Sequence, residues 1–353
     1  MSAPDPVFIT GASGFIGGKI AERLLGEGRR VRVLARRPLP QFEKLGAEVV
    51  LGDLNDSSAL HRGCAGVGTV FHVAGRVGIW GPAAEFFRVN VEGTRNVIAA
   101  CRAAGVPRLV YTSSPSVVYS GGDLSGVNES ALLCTRAPCA YPTSKAAAER
   151  LVREAHSAEL ATISLRPHLV WGPGDKNVIP RVVALARRRR LKIVGHGQNR
   201  VDLTHITNVV DAHLLGEVAL IGRAGSNREG RSERLLAGGE AYFITNGEPV
   251  MLWEWLNQLL RGIGLPDVRQ HISLRNATLV GGLLETLWRV LPLQGEPPMT
   301  RFAAKELATD HWFDLTAARR DLGYRPRVSM AAGTAELIEQ MNVHQAAIEK
   351  QPG

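Results

Sequence analysis

The chain of 353 residues carries a formal net charge of +9, and its 45% hydrophobic residues and mean hydropathy of −0.02 are typical of a soluble globular protein. This length allows one large domain, or a large domain with a smaller partner. The N-terminus shows no basic segment followed by an apolar run, and the four cysteines suit a reduced protein. We therefore expect a cytoplasmic protein with no secretory signal, no disulfide framework and no metal site at Cys134 and Cys139.

Apolar segments alternate with helix-like segments through the first half of the chain. This alternation predicts right-handed βαβ units and a doubly wound parallel sheet of the α/β class. The predicted strands are Val7–Thr10, Val31–Ala35, Glu48–Leu51, Thr69–Val73, Leu109–Thr112 and Thr162–Leu165. The predicted helices include Phe15–Leu25, Ala83–Ala104 and Tyr141–Ala155.

The segment GASGFIG at 11–17 lies between the first strand and the first helix. Small residues there allow the backbone to approach a pyrophosphate, and the helix N-terminus offers free N–H groups. The glycines are three apart, whereas the usual fingerprint has its first two glycines two apart, yet the position still favours a dinucleotide site over a simple tight turn. The predicted cofactor contacts in this loop are Gly11, Ser13, Gly14, Phe15, Ile16 and Gly17.

The end of the second strand bears on the choice of cofactor. A carboxylate about 20 residues beyond the glycines would bind the 2′-hydroxyl of NAD, whereas an arginine there can pair with the 2′-phosphate of NADP. This strand ends in Arg36 and Arg37, so NADP(H) is favoured, with NAD(H) or two solvent-facing arginines as the alternatives. After the third strand, Asp53 could receive the adenine amino group or cap the next helix, and Leu54 beside it is assigned to the same site.

The sequence YPTSK supplies Tyr141 and Lys145 four residues apart on a predicted helix, so both side chains lie on one face. A phenol with a pKa of about 10 is a poor acid–base group at neutral pH, but a nearby ammonium lowers that pKa. Upstream, Ser114 follows the fifth strand at the carboxyl edge of the sheet, where ligands bind. These three residues are candidates for catalysis, against the simpler alternatives of a surface pair and a turn-forming serine.

Strand candidates become sparse after about residue 170, and helices such as Met251–Gly262 and Met330–Ile348 dominate. The remaining predicted strands are Leu191–Val194, Ala241–Thr245 and Gln270–Leu274. We predict a nucleotide-binding domain over 1–170 and a smaller mixed α/β substrate lobe over 171–353. Segments such as 200–220 are expected to return to the first domain.

The segment 275–295 is rich in Leu, Val and Trp, and Glu285 and Arg289 interrupt it. It is too short and too charged for a membrane span and indicates an amphipathic helix. A core-facing helix is the favoured interpretation. A lid over an apolar substrate, a peripheral membrane contact and an enzyme-complex docking face are the alternatives, and all three fit a lipid-like ketone.

Seven motifs together resemble the extended short-chain dehydrogenase/reductase superfamily over nearly the whole chain. They are GASGFIG, GDLND, FHVAG, VNVEGTRNVI, YTSSPSVVY, YPTSK and LRPHLVWGPGD. In that superfamily glycines spaced three apart are the normal form. The resemblance implies that Ser114, Tyr141 and Lys145 form a catalytic triad which Asn90 supports, and that a homodimer forms through 91–104 and 141–155. It places along the cofactor Val73, Ala74, Gly75, Thr112, Tyr141, Lys145, Pro167 and Val170.

A closer resemblance is to the 3β-hydroxysteroid dehydrogenase branch, which includes sterol dehydrogenases and bacterial 2-alkyl-3-oxoalkanoate reductases of olefin synthesis. It rests on YTSSPSVV, RPHLVWGPGD, VDLTHITNVVDAHL and AYFITNGEPVMLWEWLNQLL, and the chain looks most similar to the reductases. It implies NADP(H)-dependent interconversion of a ketone and a secondary alcohol on a 3-oxo-2-alkyl fatty acid or a 3β-hydroxysteroid. Tyr141 would then transfer the proton, Ser114 would stabilise the alkoxide and Lys145 would hold the nicotinamide ribose.

Three other functions fit the sequence less well. A nucleotide-sugar epimerase has the same fold, whereas a dehydratase would carry an acidic pair where Pro115 and Ser116 stand. A non-catalytic NADP-binding redox sensor would tend to lack the Tyr–Lys pair. Nucleic-acid binding is suggested only by charge, and the arginine run at 187–190 has no interleaved aromatic residues, so no nucleic-acid partner is expected.

Overall fold

The computed structural model describes residues 5–176, 178–224, 238–291 and 293–349. The strands in chain order are β1 (Val7–Thr10), β2 (Val31–Ala35), β3 (Glu48–Leu51), β4 (Thr69–His72), β5 (Arg108–Thr112), β6 (Leu124–Val127), β7 (Ala161–Pro167), β8 (Val170–Trp171), β9 (Ile193–Val194), β10 (Arg200–Val201), β11 (Thr204–His205), β12 (Ala241–Ile244), β13 (Val250–Met251), β14 (His271–Ile272) and β15 (His311–Phe313). The helices are α1 (Phe15–Gly26), α2 (Pro40–Glu43), α3 (Ser57–Cys64), α4 (Ala83–Phe87), α5 (Gly93–Ala103), α6 (Ala140–Glu154), α7 (Val178–Arg187), α8 (Ile206–Ala224), α9 (Leu252–Gly262), α10 (Leu274–Val290), α11 (Arg301–Glu306), α12 (Thr316–Leu322) and α13 (Met330–Glu349).

Seven strands form one parallel sheet in the order β3-β2-β1-β4-β5-β7-β12. Its central strands are almost entirely buried, because helices cover both faces of a parallel sheet. One hydrophobic core joins the sheet to α1, α8 and α12, and a second joins it to α3, α5 and α6. This arrangement confirms the predicted doubly wound α/β sheet, and it brings the carboxyl ends of β1, β4, β5 and β7 to one edge.

The edge strand β12 was assigned wrongly to the smaller lobe. Ala241–Ile244 pair in parallel with Ser164–Pro167 of β7, and α8 packs on β5 and β7. Sequence spacing did not indicate this, since a parallel strand can join a sheet after any length of intervening chain.

The smaller lobe contains a mixed four-stranded sheet in the order β13-β10-β15-β6, and none of these four strands was predicted. Its core contains Trp171 of β8 and Trp253 and Trp255 of α9, and it also includes residues of α7 and α13. The predicted strands at 191–194 and 270–274 shorten to the two-residue pair of β9 and β14.

The helix α10 occupies most of the segment predicted to face the core, and that prediction is wrong. Its buried residues are Ala277, Gly281 and Glu285. A Cβ on Gly281 would lie 2.7 Å from the Thr300 carbonyl carbon, so only a residue this small permits the close approach of the chain entering α11. The apolar residues that are at least 41% exposed in this region are Leu279, Val280, Leu283, Leu287, Val290, Leu291 and Leu293.

The Glu285 carboxylate explains which face is buried. Its Oε1 accepts a hydrogen bond from the Arg301 backbone N–H at 2.7 Å, and its Oε2 accepts one from Arg301 Nε at 2.8 Å. A buried carboxylate is tolerated only when it is paired in this way. Hydrophobic periodicity identifies an amphipathic helix but does not say whether the apolar face is packed against the protein. Over the described ranges, none of the helices has both the length and the apolar character to cross a membrane.

Candidate active site

The glycine loop fits a dinucleotide pyrophosphate. The φ of Gly11 is +81°, and a Cβ there would lie 2.6 Å from the Ala74 backbone nitrogen. At Gly14, which precedes α1, a Cβ would meet only the Gly11 carbonyl oxygen at 3.2 Å, so that side of the loop is open. No side chain caps the start of α1 and no acidic residue lies in its first turn, so backbone N–H groups can receive an anion.

The next cofactor candidates follow β2 and β3. Arg36 and Arg37 are exposed directly after β2, and neither forms an ion pair within the described part of the chain. The Asp53 carboxylate accepts a hydrogen bond from the Asn55 N–H at 2.7 Å. The cap of α3 is instead Asp56, so the capping alternative for Asp53 is wrong. Leu54 is buried, and a Cβ on Gly93 would meet its side chain, so Leu54 packs against α5.

Asn90 lies in a π-helical turn, Arg88–Glu92, which joins α4 to α5 within the predicted single helix. Such turns often occur at functional sites because the extra residue re-aims a side chain. The Asn90 Oδ1 accepts a hydrogen bond from Arg76 N at 2.7 Å, and its Nδ2 donates to Ser144 Oγ at 3.0 Å. Asn90 therefore ties the loop after β4, which contains Val73, Ala74 and Gly75, to α6.

Ser114 and Tyr141 come together at the carboxyl edge of the sheet. The Ser114 hydroxyl faces the Tyr141 phenol, and Ser114 Oγ accepts a hydrogen bond from Ser116 Oγ at 3.0 Å. Ser114 caps a short 3₁₀ helix, Pro115–Val118, so its turn-forming role and its place beside Tyr141 occur together. Burial raises the pKa of Tyr141, and the hydrogen bond from Ser114 opposes that rise. The phenol is therefore protonated and can act as a proton donor.

Lys145 contacts other groups than the sequence suggested. Its Nζ donates to Tyr111 Oη at 2.6 Å and to the Thr112 carbonyl oxygen at 2.7 Å. Burial lowers the pKa of Lys145 to about 7, while the Glu149 carboxylate raises it. The expected lowering of the Tyr141 pKa by this ammonium is not seen, because the lysine is engaged by Tyr111 and Thr112.

Glu149 and Arg166 form a fully buried ion pair beneath the site. The sequence analysis did not predict this ion pair. The Glu149 carboxylate receives Arg166 Nε at 2.9 Å, Arg166 Nη2 at 2.6 Å and the Ser113 hydroxyl at 2.6 Å. Both side chains are inaccessible to solvent. Two signals could have indicated the pair: a carboxylate four residues after Lys145 on the same helix, and an arginine in a strand with no other charged residue.

The remaining candidates flank this edge of the sheet. Thr112 Oγ1 lies 2.7 Å from His213 Nε2 on α8, and its side chain is buried. Pro167 ends β7 and Val170 begins β8, which pairs with β11. All four cysteines are free, and the described ranges contain no group of three His, Cys, Asp or Glu side chains that could hold a metal ion.

The doubly wound sheet, the open glycine loop and the Ser114–Tyr141–Lys145 edge define a nicotinamide-nucleotide-dependent oxidoreductase with the extended short-chain dehydrogenase/reductase fold. The model of the 3-beta hydroxysteroid dehydrogenase/isomerase family matches residues 8–275, and the chain belongs to that family.

Two curated relatives and one solved structure show how the chain compares with known proteins. The 2-alkyl-3-oxoalkanoate reductase of Stenotrophomonas maltophilia (strain K279a) is 42% identical over 94% of this chain and 98% of its own. The sterol-4-alpha-carboxylate 3-dehydrogenase, decarboxylating, of Mus musculus is 32% identical over 95% of this chain and 90% of its own. The structure of MoeE5 in complex with UDP-glucose and NAD is 28% identical with a TM-score of 0.69, covering 97% of this chain and 99% of that one.

Proposed function

We propose that the protein reduces the ketone of a 2-alkyl-3-oxoalkanoate to a secondary alcohol with NADPH. The observation that carries this proposal is the Tyr141 phenol, which burial keeps protonated, beside Ser114 at the edge of a nucleotide-binding sheet. The substrate class is supported by the 42% identity to a 2-alkyl-3-oxoalkanoate reductase across almost the whole chain. The exposed leucines of α10 also favour a lipid-like substrate over a hydrophilic nucleotide sugar.

Each residue of the site has one task in this reaction. Tyr141 donates its proton to the carbonyl oxygen, and Ser114 hydrogen-bonds the same oxygen as negative charge develops. Lys145 binds the nicotinamide ribose, and Asn90 holds the loop after β4 in place against α6. The bound nicotinamide supplies the hydride. Its dinucleotide is held by the glycine loop, by Asp53 and Leu54, and by residues from Val73 to Gly75 and from Pro167 to Val170.

A substrate panel tests the proposal. Long-chain 2-alkyl-3-oxo acids, 3-oxosteroids and nucleotide sugars are each assayed for oxidation of NADPH and NADH. We expect oxidation of NADPH with the 3-oxo acids. Turnover of nucleotide sugars alone, by protein that purifies with bound NAD, would establish an epimerase instead. Cofactor binding without turnover of any ketone would establish a redox sensor.

We also propose that Arg36 and Arg37 select NADP(H), because β2 ends in these exposed arginines and not in a carboxylate. Charged hydrogen bonds contribute about 1.5–3 kcal/mol each. The double variant Arg36→Ala/Arg37→Ala is therefore expected to raise the KM for NADPH by about 10–100-fold and leave the KM for NADH unchanged. Arg30→Ala, at the amino end of the same strand, is the matched control. Equal losses with both cofactors would contradict the assignment.

The exposed face of α10 is proposed to lie on an anionic lipid surface. The exposed charges on this helix are basic, Arg275 and Arg289, while its carboxylate Glu285 is buried against Arg301. The face is therefore apolar with a positive border, as membrane-surface helices are. It also borders the site, since the Arg289 guanidinium lies 5.6 Å from the ring centre of Trp80 in the loop after β4.

Leu283→Ser/Leu287→Ser tests this face. Leu283 is 72% exposed, so the double variant should keep the stability of the protein. Burying each leucine in lipid contributes about 1.5–3 kcal/mol. We therefore expect cosedimentation with phosphatidylglycerol vesicles to fall at least tenfold. Leu132→Ser, at a leucine that is 89% exposed elsewhere, is the control. If the wild-type protein does not cosediment with vesicles and the double variant forms a smaller oligomer than wild type, the face is a protein interface.

We further propose a homodimer formed through 91–104 and 141–155. The supporting observation is that α5 and α6 pack side by side on one face of the sheet. Sedimentation equilibrium should then give twice the chain mass of 38.1 kDa, and a monomer would contradict the proposal.

A further inference from the structure

A row of buried polar side chains extends from Lys145 to the loop that follows β4. It consists of Tyr111, Thr94, His72 and Thr10, which the sequence analysis did not assign to any role, and each is at most 1% exposed. Tyr111 Oη accepts from Lys145 Nζ at 2.6 Å and lies beside the Thr94 hydroxyl. His72 lies between the two threonines, with Nε2 2.9 Å from Thr94 Oγ1 and Nδ1 2.8 Å from Thr10 Oγ1.

One assignment of protons satisfies all the hydrogen bonds in this row of side chains. The Thr94 hydroxyl donates its one proton to the Asn90 carbonyl oxygen at 2.6 Å, so it must accept from His72. His72 therefore carries its proton on Nε2, and its Nδ1 accepts from Thr10. Thr10 Oγ1 in turn accepts from the Ala74 N–H at 3.2 Å. Burial and the Lys145 charge lower the pKa of His72 to about 3, which keeps this ring neutral.

Counting donors and acceptors in the same way determines which partners the Lys145 ammonium has. An ammonium has three N–H donors, and Tyr111 and the Thr112 carbonyl take two of them. The ammonium can only donate, so the phenol oxygen accepts from the lysine. A Cβ on Gly75 would lie 3.9 Å from Nζ, which places the ammonium beside the loop after β4.

We propose that Tyr111 is a positioning residue whose phenol oxygen, which lies beside Thr94, holds the Lys145 ammonium so that its third N–H stays free for the nicotinamide ribose. This inference rests on the proposed function for the role of Lys145. Because this row of buried polar side chains also reaches Thr10 and Ala74, it holds the lysine and the nucleotide-binding loop in fixed positions relative to each other.

The proposal predicts a pH dependence. The groups that face Lys145 are Tyr111 from β5, His72 from β4, and Tyr141 and Glu149 from α6. Of these only Glu149 is an anion, and it is shared with Arg166. In Tyr111→Phe the ring stays, with its cation–π contact to Nζ at 4.3 Å, but the acceptor is lost. The ammonium is then less stable, so its pKa falls further below 7 and the charge is lost at a lower pH.

The experiment measures the Kd for NADPH by protein fluorescence from pH 6 to 9. In Tyr111→Phe we expect a Kd about tenfold higher at pH 7, and a weakening with rising pH that begins about one pH unit earlier than in wild type. Thr94→Val keeps the phenol but removes the hydroxyl beside it, and should shift the curve in the same direction by less. Neither measurement requires a ketone, so failure of ketone reduction would leave this result intact.

Tyr324→Phe is the matched control, since its buried phenol donates to the Thr245 carbonyl at 2.9 Å, away from Lys145. It should lower the melting temperature without moving the binding curve. A Tyr111→Phe curve that coincides with wild type would overturn the proposal. If Tyr111→Phe does not fold, the decision passes to Thr94→Val, for which an unshifted curve has the same meaning.

Discussion

Tyr141→Phe is expected to remove ketone turnover and to leave cofactor binding intact. The variant keeps the half-buried ring but lacks the hydroxyl that faces Ser114 and that burial holds in its protonated form. A positioned acid contributes about 10²–10⁴-fold to the rate, so kcat should fall by at least that factor. The measurement is single-turnover oxidation of NADPH, together with the Kd for NADPH.

Two results would separate catalysis from other roles of Tyr141. Loss of turnover with an unchanged Kd and melting temperature assigns the phenol to proton transfer. Ser114→Ala should retain more activity, because Ser114 stabilises charge but transfers no proton in the proposed reaction. Near-normal turnover by Tyr141→Phe would disprove the assignment of the acid.

Glu149→Ala is expected to destabilise the fold by about 3–5 kcal/mol, the usual cost of breaking a buried ion pair. The variant leaves the Arg166 guanidinium buried without its partner and removes the acceptor of the Ser113 hydroxyl. Urea unfolding gives the change directly. Glu154→Ala, at an exposed position of the same helix, should stay within about 0.5 kcal/mol of wild type.

A double variant shows where this energy comes from. Glu149→Leu/Arg166→Met removes both charges together and should recover a large part of the stability, because most of the cost lies in the unpaired charge. Equal losses in the single and double variants would instead assign the cost to packing. A loss below about 1 kcal/mol in Glu149→Ala would contradict the pairing described here.

Sequence patterns predicted the large sheet and the positions of its main strands, because buried parallel strands are continuous apolar runs separated by amphipathic helices. They also predicted a glycine loop before α1 and a serine beside Tyr141. They could not assign β12 to its sheet, since pairing between segments distant in the chain leaves no local signal.

Two features were mispredicted for physical reasons that lie in packing. The buried face of α10 is defined by Gly281, which allows close approach, and by the pairing of Glu285 with Arg301, neither of which follows from hydrophobic periodicity. The partners of Lys145 could not be read from its spacing to Tyr141 either. Tyr111 comes from a neighbouring strand, and only the three-dimensional arrangement brings it within hydrogen-bond distance.

The two lobes exchange strands, and this constrains how the chain folds. Leu124 of β6, from the first half of the chain, pairs with His311 of β15 in the smaller sheet, while β12 completes the larger one. A chain divided near residue 170 would leave each fragment with an unpaired sheet edge. We therefore expect the halves to be unable to fold separately, and nascent chains to complete the larger sheet only after β12 is made and the smaller sheet only after β15 is made.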